Sequence, residues 1–179
     1  LGRQTDDNTA EVANYAGYKN MTEINIPASI TVEGVAYRVT SLGDNCFDGC
    51  TSLTNVSIPN SVTWLGRSCF NGRTSLTSIT IPNSVTSLGY SCFSNCTSLA
   101  SVTIPNSVTK LGYSCFSNCT SLATVKLPES VTDISGVFYH CTGLKSITIP
   151  ASVKSLSAYD YYNRYCGCFE GCTSLTSVT

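Results

Sequence analysis

The side chains with most chemistry to offer are cysteines, of which the chain has eleven. Cys46, Cys69, Cys92, Cys115 and Cys168 each precede a phenylalanine; Cys50, Cys96, Cys119, Cys141 and Cys172 form a second series; Cys166 belongs to neither. Zinc needs thiolates or imidazoles converging on a point. Pairs strung along an axis do not converge, so no metal and no other cofactor is expected. Disulfides are a stronger competitor, because neighbouring strands about 4.7–4.9 Å apart lie within bridging range. Yet side chains stacked in parallel do not favour the bridge dihedral, near ~90°. Free thiols packed as small apolar residues are the preferred reading, and an odd count leaves at least one unpaired. Arg73 stands where the second series would have a cysteine. A guanidinium is rarely buried unpaired, so Arg73 is expected to snorkel out at an edge. It also breaks any chain of bridges there, which leaves Cys50 as a free thiol.

Catalysis finds little support. His140 is the single histidine, and its neighbour Cys141 points elsewhere on a turn, so no nucleophile–base–orienter set forms. His140 reads as a surface residue. Asp44 with Asp48, and Glu129 with Asp133, read as solvated charges, since glycoside hydrolysis needs carboxylates opposed across a cleft. Residues 167–171 resemble no phosphate loop, since neither a Lys nor a helix start follows. The chain is expected not to be an enzyme.

The elements that hold these residues repeat. Phe47, Phe70, Phe93 and Phe116 are spaced by 23, as are Pro59, Pro82, Pro105 and Pro128; the next steps, to Phe138 and Pro150, are 22. Within one copy, Ile79 and Ile81 flank Thr80 in the alternation of a half-buried strand, and Pro82 ends the ladder because it lacks an N–H. Ser84 to Leu88 is a second extended stretch, closed by Gly89 where the backbone must turn. Phe93, Cys96 and Leu99 at spacing three suit a 3₁₀ or short helical turn. So short a unit buries its apolar face only by stacking on its neighbours. The fold expected is a β-rich repeat solenoid in one domain, 1–179. Tyr15, Tyr18 and Met21 follow the spacing of Phe47, Cys50 and Leu53, so 1–27 reads as a degenerate capping unit and 28–179 as the repeats. The final Ser177-Val178-Thr179 stops where Ile-Pro should follow, which predicts the remainder of a longer chain.

The units Leu53 to Leu76, Leu76 to Leu99 and Leu99 to Leu122 resemble the BspA-like leucine-rich repeat family of bacteria and some protists. The stretch S-L-T-S-I-T-I-P-N-S-V-T-S-L-G-Y-S-C-F-S-N-C is close to that family's consensus. One departure is visible: the family usually has Ala before the Phe, where this chain has Cys. The resemblance implies a right-handed solenoid on secreted or surface-anchored proteins that mediate adhesion and bind host proteins.

Composition narrows the partners. Charged residues make up 12% and the formal net charge is −1, which offers no basic field for nucleic acid or anionic lipid. The apolar stretches are too short to span a bilayer, and no signal peptide opens the sequence. Extracellular proteins or glycans remain the expected partners, at a cell surface or after secretion. Two surfaces could meet them. The strand's outward positions are Asn55 and Ser57, Ser78 and Thr80, Ser101 and Thr103, Thr124 and Lys126, Ser146 and Thr148: a carpet of small hydroxyls without the aromatic and Arg anchors that dominate binding. The other is an insertion at 157–167 carrying Tyr159, Asp160, Tyr161, Tyr162, Arg164 and Tyr165, the composition of an antibody-like contact loop. These six are the first candidates for a binding site. A stalk, or a sugar platform built on Asp160 and the tyrosines, are the alternatives. Residues 31–38 read as a hairpin about Glu33-Gly34, an edge cap.

Overall fold

The computed structural model describes residues 3–4, 7–159 and 165–179. In chain order its strands are β1 (Arg3–Gln4), β2 (Thr9–Val12), β3 (Glu23–Asn25), β4 (Ser29–Val32), β5 (Val35–Leu42), β6 (Asn55–Ser57), β7 (Trp64–Leu65), β8 (Ser87–Leu88) and β9 (Ser101–Thr103). They continue with β10 (Lys110–Leu111), β11 (Thr124–Lys126), β12 (Ser146–Ile147), β13 (Ser157–Tyr159), β14 (Tyr165–Gly167) and β15 (Ser177–Val178). A single 3₁₀ turn, Ala16–Tyr18, is the only helical element among the described residues. The fold is a β-solenoid, as the period predicts.

Each unit is one rung, and rungs join in parallel register: Trp64 with Ser87, Ser87 with Lys110, Ser101 with Thr124. The second extended stretch, rather than the Ile-x-Ile strand, builds the larger sheet, with order β1-β2-β5-β7-β8-β10 and β4 on β5. The Ile-x-Ile strands pair only in couples: β3 with β6, β9 with β11, β12 with β15. Proline accounts for part of this, since it removes the next donor from the ladder.

Glycine accounts for the rest, and its role differs from the expected turn. A Cβ on Gly66 would lie 2.6 Å from the Gly43 carbonyl carbon; on Gly89, 2.6 Å from that of Gly66; on Gly112, 2.4 Å from that of Gly89. These glycines are there for close approach of successive backbones, and none has positive φ. The next position is Ser135, and the sheet ends at β10, beyond which, among the described residues, the isolated bridge Asp133–Ser155 continues the line.

The predicted helical turn is also modified. Its i→i+3 hydrogen bonds form, Ser94 N–H to the Ser91 carbonyl at 3.1 Å and Cys96 N–H to that of Phe93 at 3.3 Å. Left-handed residues interrupt them: Asn45, Ser68, Ser91 and Ser114 in one row, and Gly49, Gly72, Asn95, Asn118, His140 and Gly171 in another. Chirality forbids a helix through such positions. The turns instead bond across rungs. Phe70 N–H donates to Cys92 and Phe93 N–H to Cys115, each at 2.8 Å, toward the next rung. On the sheet side, Thr63, Thr86 and Thr109 N–H groups donate to the preceding rung. Each of these rungs is therefore held by two hydrogen-bond rows of opposite direction.

Inside, Phe47, Phe70, Phe93, Phe116 and Phe138 are fully buried and stack ring on ring. Tyr18 closes the N-terminal end, 6.0 Å from Phe47. The hairpin at 31–38 forms as expected, β4 antiparallel to β5 with Glu33 and Gly34 at positive φ; this is the turn that matches strand twist.

Candidate functional site

The cysteines lie inside the stack. Cys46, Cys69, Cys92, Cys96, Cys115, Cys119 and Cys141 are fully buried. The second series turns its thiols to backbone: Cys96 Sγ donates to Phe70 O at 3.1 Å, Cys119 to Phe93 O at 3.1 Å and Cys141 to Phe116 O at 3.0 Å. Burial disfavours the thiolate, and it pushes Cys96, Cys141 and Cys168 up to about 12. These are inert, protonated packing groups at neutral pH. Among the described residues no group of three or more His, Cys, Asp or Glu side chains could hold a metal ion.

Arg73 departs from expectation. It does not snorkel; it is 5% exposed. Its guanidinium donates to the carbonyl of Phe47 and, at 3.0 Å, to that of Asn71, with Asp48 3.9 Å away. The bond to Phe47 is the one the cysteines make elsewhere in the row, so Arg73 substitutes for a thiol donor. Its charge is offset by two carbonyl dipoles and a carboxylate, which is what burial of an Arg demands.

His140 is exposed, lies in the left-handed row and stacks on Tyr139 with ring centroids 4.1 Å apart. Cys141 donates instead to Phe116 O. Asp44 accepts the Arg67 N–H at 2.7 Å and Asp133 the Ser135 N–H at 2.8 Å. These carboxylates tie down turns.

The strand face is open. Asn55, Ser57, Ser78, Thr80, Ser101, Thr103, Thr124, Lys126, Ser146 and Thr148 are all exposed. Because the strands pair in couples, seams fall between them, and two seams are hollows. Ser78, Thr80, Ser101 and Thr103 line one of about 380 Å³; Lys126, Glu129 and Thr148 line another of about 350 Å³. Sequence patterning marks which side chains face out but not where the ladder breaks.

The insertion at 157–167 is a hairpin. β13 runs antiparallel to β14, with Ser157 opposite Gly167 and Tyr159 opposite Tyr165. Asp160, Tyr161, Tyr162 and Arg164 lie outside the described residues.

Two features escaped sequence reasoning. Tyr90, 47% exposed, stacks on Tyr113 at 5.7 Å, an aromatic pair repeated at the unit spacing just after the corner glycine. A mainly apolar cavity of about 220 Å³ opens at the N-terminal end, lined by Val12, Tyr18, Met21, Ile24, Ile30 and Val39 among others. The tyrosines were legible as a repeat; the cavity was not, because it forms among β2, β3, β4 and β5, which spacing does not place together. No helix is long and apolar enough to cross a membrane among the described residues.

The comparisons match this geometry. The leucine-rich repeat protein of T. pallidum is 32% identical, with a TM-score of 0.84 over 99% of this chain and 78% of that one. One from Bacteroides ovatus is 28% identical, with a TM-score of 0.75 over 99% of this chain and 50% of that one. One from Bacteroides capillosus is 33% identical, with a TM-score of 0.61 over 69% of this chain and 90% of that one. No curated protein matches in sequence. The family of BspA type leucine rich repeat regions matches residues 40–175 in six copies. With its stacked phenylalanines, paired rungs and six matched repeats, the chain belongs to the BspA type leucine-rich repeat family.

Proposed function

We propose that the chain is a non-enzymatic recognition module of a secreted or cell-surface protein, binding extracellular proteins or glycans chiefly through the hairpin at 157–167. The observation that carries this reading is the antiparallel pairing of β13 with β14, inserted among the parallel rungs of the C-terminal third. A unit of the ordinary spacing closes without the insertion, so stacking does not require it. Tyrosine and arginine give a contact loop large area and directional bonding at low entropic cost. The two hollows of the strand face supply a second contact suited to hydrogen bonding, with the hydroxyls of Ser78, Thr80, Ser101, Thr103 and Thr148 and the ammonium group of Lys126. The family's architecture supports the scaffold role.

The test is binding of the chain to a panel of extracellular matrix proteins, plasma proteins and glycans, against a variant in which 158–167 is cut to an ordinary turn. Saturable binding lost with the hairpin supports the proposal. Binding that survives moves the contact to the strand face. No binding favours a spacer, a reading suggested by the small uniform hydroxyls of that face.

A further inference from the structure

The two cysteine rows differ in what their sulfurs face. In the second row the thiols point at carbonyls of a neighbouring rung. In the first row they face one another, and Cys46 Sγ stands 3.1 Å from Cys69 Sγ. That is about 1 Å longer than a disulfide bond. Parallel stacking works against the bridge dihedral, and most of the stack is parallel: the rings of Phe70 and Phe93, and those of Phe93 and Phe116, are each 2° apart. The junction between Phe47 and Phe70 is the exception, with rings tilted by 34°. Cys46 and Cys69 directly precede those two rings, and Arg73 reaches across the same junction to Phe47. The rungs that hold the two sulfurs together are thus the ones whose neighbouring side chains depart from parallel.

We propose that Cys46 and Cys69 are a disulfide-forming pair that fastens the first full rung to the next under oxidising conditions. The oxidant is an external disulfide, either a small molecule or an oxidoreductase. Cys46, deprotonated, attacks one sulfur of that disulfide and releases the first external thiolate. Cys69, deprotonated in turn, attacks Cys46 Sγ and displaces the second. The two protein thiols lose two electrons and two protons, and the external disulfide becomes two thiols. Both cysteines are fully buried, so the exchange occurs while the first rungs are open, during folding or local opening. The closed loop, residues 46–69, joins the cap's neighbour to the regular rungs, and cross-linking removes freedom from the unfolded chain.

The full chain is refolded in a glutathione redox buffer, alkylated and digested with trypsin. Cleavage after Arg38, Arg67 and Arg73 separates 39–67, which contains Cys46 and Cys50, from 68–73, which contains Cys69 alone. The expected result is a disulfide between these two peptides, with nine of the eleven cysteines alkylated. Cys50→Ser keeps the link and Cys46→Ser loses it. Reductant lowers the melting temperature of the wild type by roughly 5–10 °C and leaves Cys46→Ser unchanged. Eleven alkylated thiols in the refolded wild type, or a link between other cysteines such as Cys92 and Cys115, overturns the proposal.

Discussion

The middle of the stack and its C-terminal third are built from the same repeat, yet they pack differently. In the middle, Phe70, Phe93 and Phe116 stack at 5.0 and 5.2 Å, and each rung places a glycine against the backbone of the one before. Toward the end, Phe116–Phe138 and Phe138–Phe169 widen to 5.9 and 6.2 Å. Serine replaces the corner glycine at 135, the sheet gives way to a single bridge, and Leu156 is 45% exposed. The hairpin enters there. One residue without a side chain at each corner sets how close the backbones come. Where that residue is lost, the rungs part and the chain accommodates an insertion that the tight rungs would exclude.

Breaking the central stack should cost most. Phe93→Ala removes a ring flanked on both sides and is expected to lose about 4 kcal/mol in urea unfolding, against about 1–2 kcal/mol for Phe169→Ala at the half-buried end. Equal losses would erase the contrast. Gly89→Ala comes next: its Cβ meets backbone at 2.6 Å, which cannot swing aside as a side chain would, and about 3 kcal/mol of destabilisation is expected. Ser135→Gly, in the region already parted, should change stability by less than about 1 kcal/mol. The effect at Arg73 falls between those at Gly89 and Ser135. Arg73→Ala leaves the Phe47 carbonyl without its donor and should cost about 1–3 kcal/mol, whereas Arg73→Cys restores the row's usual thiol donor and should recover about 1 kcal/mol of that.

The smallest effect is a pH dependence. Below the ordinary thiol value of 9.0, the cysteines are protonated in both folded and unfolded chains, so they leave stability flat there. Above it the unfolded chain ionises, while Cys96, Cys141 and Cys168 hold their protons until about 12. The unfolded state then binds fewer protons, so stability falls between these limits. Urea midpoints from pH 8 to 11 should decline, less steeply for Cys96→Ala.

Much of this was legible in the sequence, for a physical reason. A strict period forces like residues to stack, so the phenylalanine column, the buried thiols and the exposed Ser/Thr positions follow from spacing alone. What spacing does not encode is the distance between backbones. A glycine needed for close approach and one needed for positive φ look the same, and Gly89, expected to mark a turn, is there for close approach. A signal did exist: the left-handed row mixes Gly49 and Gly72 with Asn95, Asn118 and His140, whereas the corner row has glycine at 43, 66, 89 and 112 and departs from it first at Ser135. Arg73 was not legible because spacing displays its charge but not the carbonyls waiting inside the stack. At the candidate site the hairpin's existence was readable from the surplus residues, and the seams between strand couples were not.

Hydrogen exchange of the native chain tests the contrast most directly. The Gly89 and Gly112 amides bond to Leu65 and Leu88 in the tight rungs; those of Ile134 and Cys168 bond to Ser155 and Leu156 beside the hairpin. The account predicts that the first pair exchanges only through global unfolding, at a rate set by the denaturant-measured stability. The second pair should exchange at least about tenfold faster through local opening. Uniform protection of all four would contradict it, and would mean that the corner glycines do not set where the stack yields.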